Sequence, residues 1–459
     1  PNIDAALAAA THRIDAVIYW QREQHMADIR PGASNGHRTV DWADAITAAQ
    51  PVDCVDVDAT HPLYILYTSG TTGAPKGIVR DTGGYLTALA WTMQAVYAID
   101  PGTTYWAASD VGWVVGHSYI AYGPLLNRNT TLIYEGKPFG TPDAGAFWRL
   151  IEKHKVRVFF TAPTAIRAIK QVDPAGHFIA ESNLTNLQAI FLAGERTDPG
   201  TLEWLGERIP VPVVDHWWQT ETGWPICAVA QGMAPLPIKA GSTGPALPGW
   251  NVRCVDPGGL PTAEGEAGTI VIELPLPPGA APTLWNADDR YVSAYLDRFP
   301  GYYNTGDGGF IDEDGYVFVM SRTDDVINVA GHRLSSSALE EVIAAHPDVA
   351  ECAVVGIPDA IKGQVPLAFV VLKANATTST ATLPDAFNKA IRSTIGPIAA
   401  LRASHIVQRL PKTRSGKILR RTMREMANGD QPNVPATIED PAVLDELAGL
   451  FRDAASTPT

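Results

Sequence analysis

"VRVFFTAP" (156–163), "LQAIFLAGE" (187–195) and "VPVVDHWW" (211–218) are short β-rich runs, and the helical pattern "DPGTLEWLGERI" (198–209) separates the last two. Strand, turn, helix, strand at this spacing reads as βαβ units and a largely parallel sheet. The pattern extends towards the N-terminus. "LYILYTS" (63–69) precedes a helical stretch at 82–98, and "TTLIYEG" (130–136) precedes another at 143–154. From about 239 to 320 the texture changes to short runs split by glycine and proline, "GSTGPALPGWNVRCVDPGG", "GTIVIELP" and "GYVFVM". That reads as a smaller, mostly antiparallel β unit. After "SRTDD" (321–325) the chain resets to "SSALEEVIAAHP", "VAECAVVGIP", "PLAFVVLK" and "LPDAFNKAIRSTIG". The expected architecture is α/β: a large domain over 1–323 of parallel-rich layers carrying the β unit, then a smaller, mobile α+β domain over 324–459.

At 459 residues the chain exceeds one core. Its net charge of −14 argues against nucleic acid or an anionic membrane as the main partner, so an anionic substrate needs a local site. Cys54, Cys227, Cys254 and Cys352 lie far apart with no CxxC pair. Reduced thiols in a cytoplasmic protein are expected, not a disulfide framework or a zinc site. The N-terminal "PNIDAALAAATHRIDAV" has neither the basic start nor the apolar core of a signal peptide. The apolar "YWAASDVGWVVGHSYIAYGPLL" (105–126) carries Asp110 and His117 among glycines, which suits site-lining segments better than a membrane span.

One stretch concentrates small residues: "YTSGTTGAPKG" (67–77). Gly70, Gly73 and Gly77 let backbone N–H groups converge on an anion. Thr68, Ser69, Thr71 and Thr72 add hydroxyls, and Lys76 adds a positive charge. This reads as a polyphosphate cradle; a flexible turn is the plainer alternative. It is not a Walker A loop, because Pro75 stands where GxxxxGK[ST] needs glycine. In "DHWWQTETGWP" (215–225), Thr220 and Thr222 flank Glu221, a carboxylate suited to a magnesium ion that bridges phosphates. "YYNTGDGGFIDEDGYVFV" (302–319) places Asp307 after a turn, where a carboxylate can accept from ribose hydroxyls. "SRTDDVINVAGHR" (321–333) brings Arg322 and Arg333 to the domain junction, and "PKTRSGKILRR" (411–421) presents Lys417 on a basic loop. Each segment alone also reads as a surface turn or a solvated charge run.

In this order, "YTSGTTGAPKG", "LAGE", "WWQTETG", "YNTGD", "RTDDVINVAGHR" and "PKTRSGK" resemble the adenylate-forming superfamily of acyl-CoA synthetases, luciferases and peptide-synthetase adenylation domains. "SDVGWVVGHSYIAYGPL" and "DDVINVAGHR" resemble its short-chain acetyl- and propionyl-CoA synthetases, and "KGQVPLAFVVL" inclines to the propionyl type. The resemblance implies ATP, Mg²⁺ and CoA as cofactors and a short-chain carboxylate as substrate. It implies that Thr68 to Gly73 and Lys76 hold phosphates, and that Gly194, Glu195, Arg196 and the run Asp215, His216, Trp217, Trp218, Gln219, Thr220 line the nucleotide pocket. Asp307 and Arg322 then hold the ribose, Arg333 reaches a phosphate, Glu221 places magnesium, and Lys417 contacts the reacting oxygens during adenylation only. A hinge at Asp324 would bring Gly331 beside the pantetheine arm and Arg392 against the CoA phosphates. A further magnesium site is implied at the carbonyls of His346 and Val349, and regulatory acylation at Lys417.

For the acyl group, the resemblance makes Trp218 the closing wall, with Val114, Val115 and Ala193 beside it. An acetate-type pattern carries Thr at 115 and Val at 193. Here Val115 and Ala193 leave room for about one methylene, worth ~0.8 kcal/mol, so propionate is expected over acetate. Ala330 and Phe139 depart from the polar residues expected there. Only 66 residues precede Tyr67, far fewer than in the group's pattern. The expectation is an N-terminally truncated large domain, with thioester formation the step most at risk. Two other readings stand: an adenylating domain serving a carrier protein, and an inactive nucleotide- or acyl-adenylate-binding protein.

Overall fold

The computed structural model describes all residues except 1, 13, 25, 27–37, 69–74, 139, 235, 324, 374–375, 414–417, 433, 436–437 and 456–459, and omits the side chains of 2, 333 and 452–455. Expectations on Ser69, Gly70, Thr71, Thr72, Gly73, Phe139, Asp324, Lys417 and the Arg333 side chain therefore lie outside the described residues. The chain forms two units, residues 1–57 and 58–459. In the first, β1 (Ala16–Tyr19) and β2 (Arg38–Asp41) pair in parallel. Asp41 caps the helix Trp42–Ala48, accepting from the Ala43 N–H at 2.8 Å.

The second unit opens with an antiparallel hairpin, β3 (Pro62–Thr68) and β4 (Lys76–Asp81), whose last pair is Thr68 with Lys76. The strand expected at 63–69 and the helix expected at 82–98 form, but β4 between them was not expected. The small-residue stretch joins two strands, and the helix Gly83–Ala95 begins only after β4. "KGIVRD" is a strand in which polar ends mask an apolar middle.

Five strands, β5 (Thr104–Ala107), β6 (Thr130–Thr131), β7 (Val156–Thr161), β8 (Ala189–Leu192) and β9 (Val213–Asp215), form one parallel sheet in the order β6-β5-β7-β8-β9. β8 shows why the run is uninterruptedly apolar. Ala189 and Phe191 pack into one core with Tyr97 and Tyr105, while Ile190 and Leu192 pack into another with Trp106, Trp148 and Trp204. A parallel strand covered on both faces has no position for a polar side chain. In "TTLIYEG" only Thr130 and Thr131 are strand, because residues 132–135 leave the ladder at the sheet edge.

The Gly- and Pro-split region forms an antiparallel sheet of β10 (Val252–Val255), β11 (Gly268–Glu273), β12 (Tyr302–Ile311) and β13 (Val317–Arg322), in that order. Its register sets Asp307 directly opposite Arg322. Beyond it, β14 (Val326–Val329) and β15 (His332–Ser335) form a hairpin turned by Ala330 at φ 47° and Gly331 at φ 85°. Two consecutive positive φ angles are what a two-residue turn between twisted strands requires. β16 (Val349–Asp359) and β17 (Gly363–Leu372) are antiparallel, and β18 (Ala403–Ile406) adds in parallel to β17. Alternation along them feeds two cores. Cys352, Val354, Ala368 and Val370 pack with Leu339 and Phe387, whereas Ala353, Val355, Leu367 and Phe369 pack with Met423 and Leu447. The tail "DPAVLDELAGLF" lies in a helix, Ala442–Ala455, docked through Val443, Leu444 and Leu447. Among the described residues, no helix is long and apolar enough to cross a membrane.

Candidate active site

Lys76 and Arg80 lie on the same face of β4, four residues apart, and both reach Glu221. The Lys76 ammonium stands 4.0 Å from Glu221 Oε1 and 4.4 Å from the centre of the Tyr295 ring. The Tyr295 hydroxyl donates to that carboxylate at 2.5 Å. Burial lowers the Lys76 pKa; Glu221 opposes the shift, and the Arg290 and Arg322 charges add to it. Arg80 is fully buried and donates to the carbonyls of Thr220, Glu221 (3.0 Å) and Gly279 (2.5 Å). Arg290 donates to the Pro75 carbonyl at 2.9 Å.

A second set meets the first through Gln219. The Gln219 amide donates to Asp307 Oδ2 at 2.6 Å and to the Thr305 carbonyl at 2.8 Å, and its oxygen accepts from Tyr303 at 3.2 Å. Trp217 Nε1 donates to the same Asp307 oxygen at 3.1 Å, and Arg322 reaches the other at 3.2 Å. Burial raises the Asp307 pKa, against the pull of Arg322 and these donors. Glu221, which meets Lys76, and Gln219, which meets Asp307, thus share one loop that follows the C-terminal end of β9.

Four of the residues expected to line the nucleotide pocket have protein partners at that sheet end. His216 is 1% exposed; its Nδ1–H donates to the Leu192 carbonyl at 2.8 Å and its Nε2 accepts from Tyr97 at 3.1 Å. Both ring nitrogens are thus taken by protein partners. Glu195 is tied to Arg167 (2.6 Å) and to Thr164, and Arg196 donates to Glu341 at 2.7 Å. Gly194, just before them, has a positive φ of 102°. Asp215 is buried and accepts from the Thr197 N–H at 3.3 Å; desolvation pushes its pKa up to about 7.

Ala193 follows β8 inside the larger core, and Val115 and Trp218 pack against that core. Trp218 meets Tyr119 edge to face, with ring centres 5.4 Å apart. Val114 and Val115 open a short helix that runs into a π-helical turn, His117–Tyr122. Gly331 sits at the hairpin tip with open space around it, and Arg392 is exposed on the helix Leu383–Thr394. The His346 carbonyl accepts from the Val349 N–H at 3.0 Å, closing a turn between these two residues. Sequence reasoning missed Arg80, Tyr295, Tyr303 and Arg290. For Arg80 a signal existed, an arginine in phase with Lys76 inside an apolar strand.

The charge balance suits a polyanion, because Lys76, Arg290 and Arg322 outnumber Glu221 and Asp307. Among the described residues no three His, Cys, Asp or Glu side chains form a metal cage. A lone carboxylate still fits Mg²⁺, which takes one or two protein oxygens and completes its shell from phosphates and water.

Residues 5–277 match the family described as AMP-binding enzyme, and residues 338–417 match its C-terminal domain. The chain is 49% identical over 460 residues to the mitochondrial acyl-CoA synthetase short-chain family member 3 of Bos taurus, covering 99% of this chain and 66% of the relative. It is 44% identical over 463 residues to the propionate–CoA ligase of Escherichia coli (strain K12), covering 98% and 72%. Acetoacetyl-CoA synthetase from Streptomyces lividans superposes with a TM-score of 0.81 at 26% identity, covering 96% of this chain and 66% of that one. The chain thus spans roughly two thirds of these proteins. It belongs to the AMP-binding enzyme family, in the group of short-chain acyl-CoA synthetases.

Proposed function

We propose that the protein activates a short-chain carboxylate, propionate before acetate, with ATP and transfers the acyl group to CoA. In the first step a carboxylate oxygen attacks the α-phosphorus, and the bond to pyrophosphate breaks. In the second the CoA sulfur attacks the acyl carbon, AMP leaves with the electron pair, and the thiol proton passes to solvent. The carboxylate is already ionised at neutral pH, so the protein's task is alignment and charge neutralisation. Lys76, Thr68 and the small-residue loop would hold the β- and γ-phosphates. Glu221 would hold Mg²⁺, which neutralises phosphate charge when bound. Asp307 and Arg322 would hold the ribose, and Lys417 would align the reacting oxygens from the C-terminal domain, with Asp324 as pivot. Arg333, Gly331 and Arg392 belong to this reading as phosphate, pantetheine and CoA contacts. Acylation of Lys417 would silence the first step.

The observation that carries the reading is the convergence of Lys76, Glu221, Gln219, Asp307 and Arg322, from three distant segments, through the hydrogen bonds around Gln219 and Glu221. The name of the Escherichia coli relative supports the substrate class, and the small Ala193 supports propionate. Free cysteines at 54, 227, 254 and 352 support a reducing, cytoplasmic setting. ATP–pyrophosphate exchange across acetate, propionate and butyrate tests the first step. Acid-dependent exchange fastest with propionate is expected, and exchange with no acid requirement would refute it. AMP release on adding CoA alone separates this reading from one that needs a carrier protein.

A further inference from the structure

Arg80 is a cation with no exposure to solvent, and among the described residues no carboxylate lies within ion-pair range of it. Its guanidinium is held by three carbonyl oxygens, those of Thr220, Glu221 and Gly279, and by the face of the Tyr85 ring 5.2 Å away. Its Nε is buried without a partner among the described residues. A structural stitch could be made by a neutral donor, whereas an unneutralised buried charge is costly to keep.

The surroundings show what the charge controls. Lys76, on the same face of β4, meets the Glu221 carboxylate, and Arg80 meets the Glu221 and Thr220 carbonyls. One strand therefore grips one residue by both its side chain and its backbone. The peptide between Thr220 and Glu221 is trans, so with its carbonyl turned to Arg80 its N–H faces the opposite way. The loop wraps the guanidinium tightly. Gly223 sits at φ 77°, and a Cβ there would lie 2.7 Å from Arg80 Cζ.

We propose that Arg80 is a positioning residue for adenylation: it fixes the Thr220–Glu221 backbone against the phosphate-loop hairpin and supplies positive charge behind the bound triphosphate. This rests on the functional reading above, and the experiment separates the two. Wild-type, Arg80→Lys and Gly223→Ala proteins are compared by cooperative unfolding, by calorimetric titration with Mg²⁺ and α,β-methylene-ATP, and by pyrophosphate exchange. Lysine keeps the charge but cannot span three carbonyls; the alanine displaces the guanidinium without altering it. Both variants are expected to unfold cooperatively, bind the nucleotide analogue about tenfold more weakly and exchange about a hundredfold more slowly, the scale of a small misplacement. Their KM for the carboxylate should stay within about twofold of wild type. A folded Arg80→Lys protein with wild-type nucleotide affinity and exchange overturns the proposal, as does equal loss of carboxylate and nucleotide affinity. If Arg80→Lys does not fold, Gly223→Ala decides, and wild-type affinity there overturns it. A wild-type protein that binds the analogue but shows no acid-dependent exchange overturns the functional reading.

Discussion

Arg196, at the end of the parallel sheet, and Glu341, on the helix Ser336–Ala344 of the C-terminal region, meet at 2.7 Å, with side chains 23% and 36% exposed. The pair ties the C-terminal region to the end of the parallel sheet. It also engages a guanidinium that the sequence assigned to the nucleotide, while Arg196 Nε stays buried without a partner among the described residues. A half-exposed ion pair is worth at most about 1 kcal/mol, so the competition is modest. Glu341→Gln should lower the KM for ATP in pyrophosphate exchange by roughly two- to fivefold, a factor set by that energy. An unchanged or raised KM in the variant would show that Arg196 does not exchange partners.

Asp215 and His216 are neighbours whose proton linkages oppose each other. Burial raises Asp215 to about 7 and depresses His216 to about 4. The stability Asp215 contributes is present below its unfolded value of about 3.9 and is lost as pH rises through 7. That of His216 is present above 6.5 and is lost as pH falls through 4. Between about pH 4 and 6.5 the folded pair and the unfolded pair hold the same number of protons, so the two slopes cancel. Asp215→Asn should expose the histidine term, with stability relative to wild type rising by about 3 kcal/mol from pH 4 to 6.5. His216→Asn should tilt the other way. Urea unfolding at the two pH values checks both, and slopes of the same sign in the two variants would reject the coupling.

These two residues also mark where sequence legibility stopped. The parallel sheet was readable because burial on both faces leaves continuous apolar runs, and the antiparallel unit because glycine and proline mark its turns. The resemblance set Asp307 and Arg322 at one ribose, but their direct pairing depends on a register with an irregularity between Gly308 and Gly309, which local sequence does not encode. His216 was expected in the nucleotide pocket from the resemblance; a carbonyl on the neighbouring strand and the Tyr97 hydroxyl bond its ring, and both partners are remote in sequence. Arg80 stands in phase with Lys76 in the sequence, but an arginine in a short strand ordinarily reaches solvent, and it is the packing of the 220–223 loop that buries it.

The basic loop at 411–421 sorts itself by partners. Lys412 pairs with Glu351, Arg420 with Glu340 at 2.8 Å, and Arg421 with Glu425 at 2.7 Å, all within the C-terminal region. Each of these described charges therefore has a partner of its own. Lys417→Ala should abolish acid-dependent pyrophosphate exchange, yet retain thioester formation from supplied acyl-AMP. Equal loss of both half-reactions would argue against a lysine that acts in only one of them.

The acyl pocket gives the narrowest prediction. Ala193 is 7% exposed at the end of β8, in the core against which Trp218 and Val115 pack. Trp218 is braced edge to face by Tyr119, so that wall cannot swing aside without disturbing the tyrosine cluster behind it. Adding two methyl-sized groups at 193 must therefore take volume from the ligand. A rigid wall excludes by overlap, a stronger discriminator than a missing contact. Ala193→Val should lower the ratio of kcat/KM for propionate to that for acetate by about tenfold, within the range one methylene commands. The acetate value itself should move less than threefold, since a ligand one methylene shorter does not reach the new side chain. A variant that loses both acids equally would show that Ala193 sets packing and not chain length.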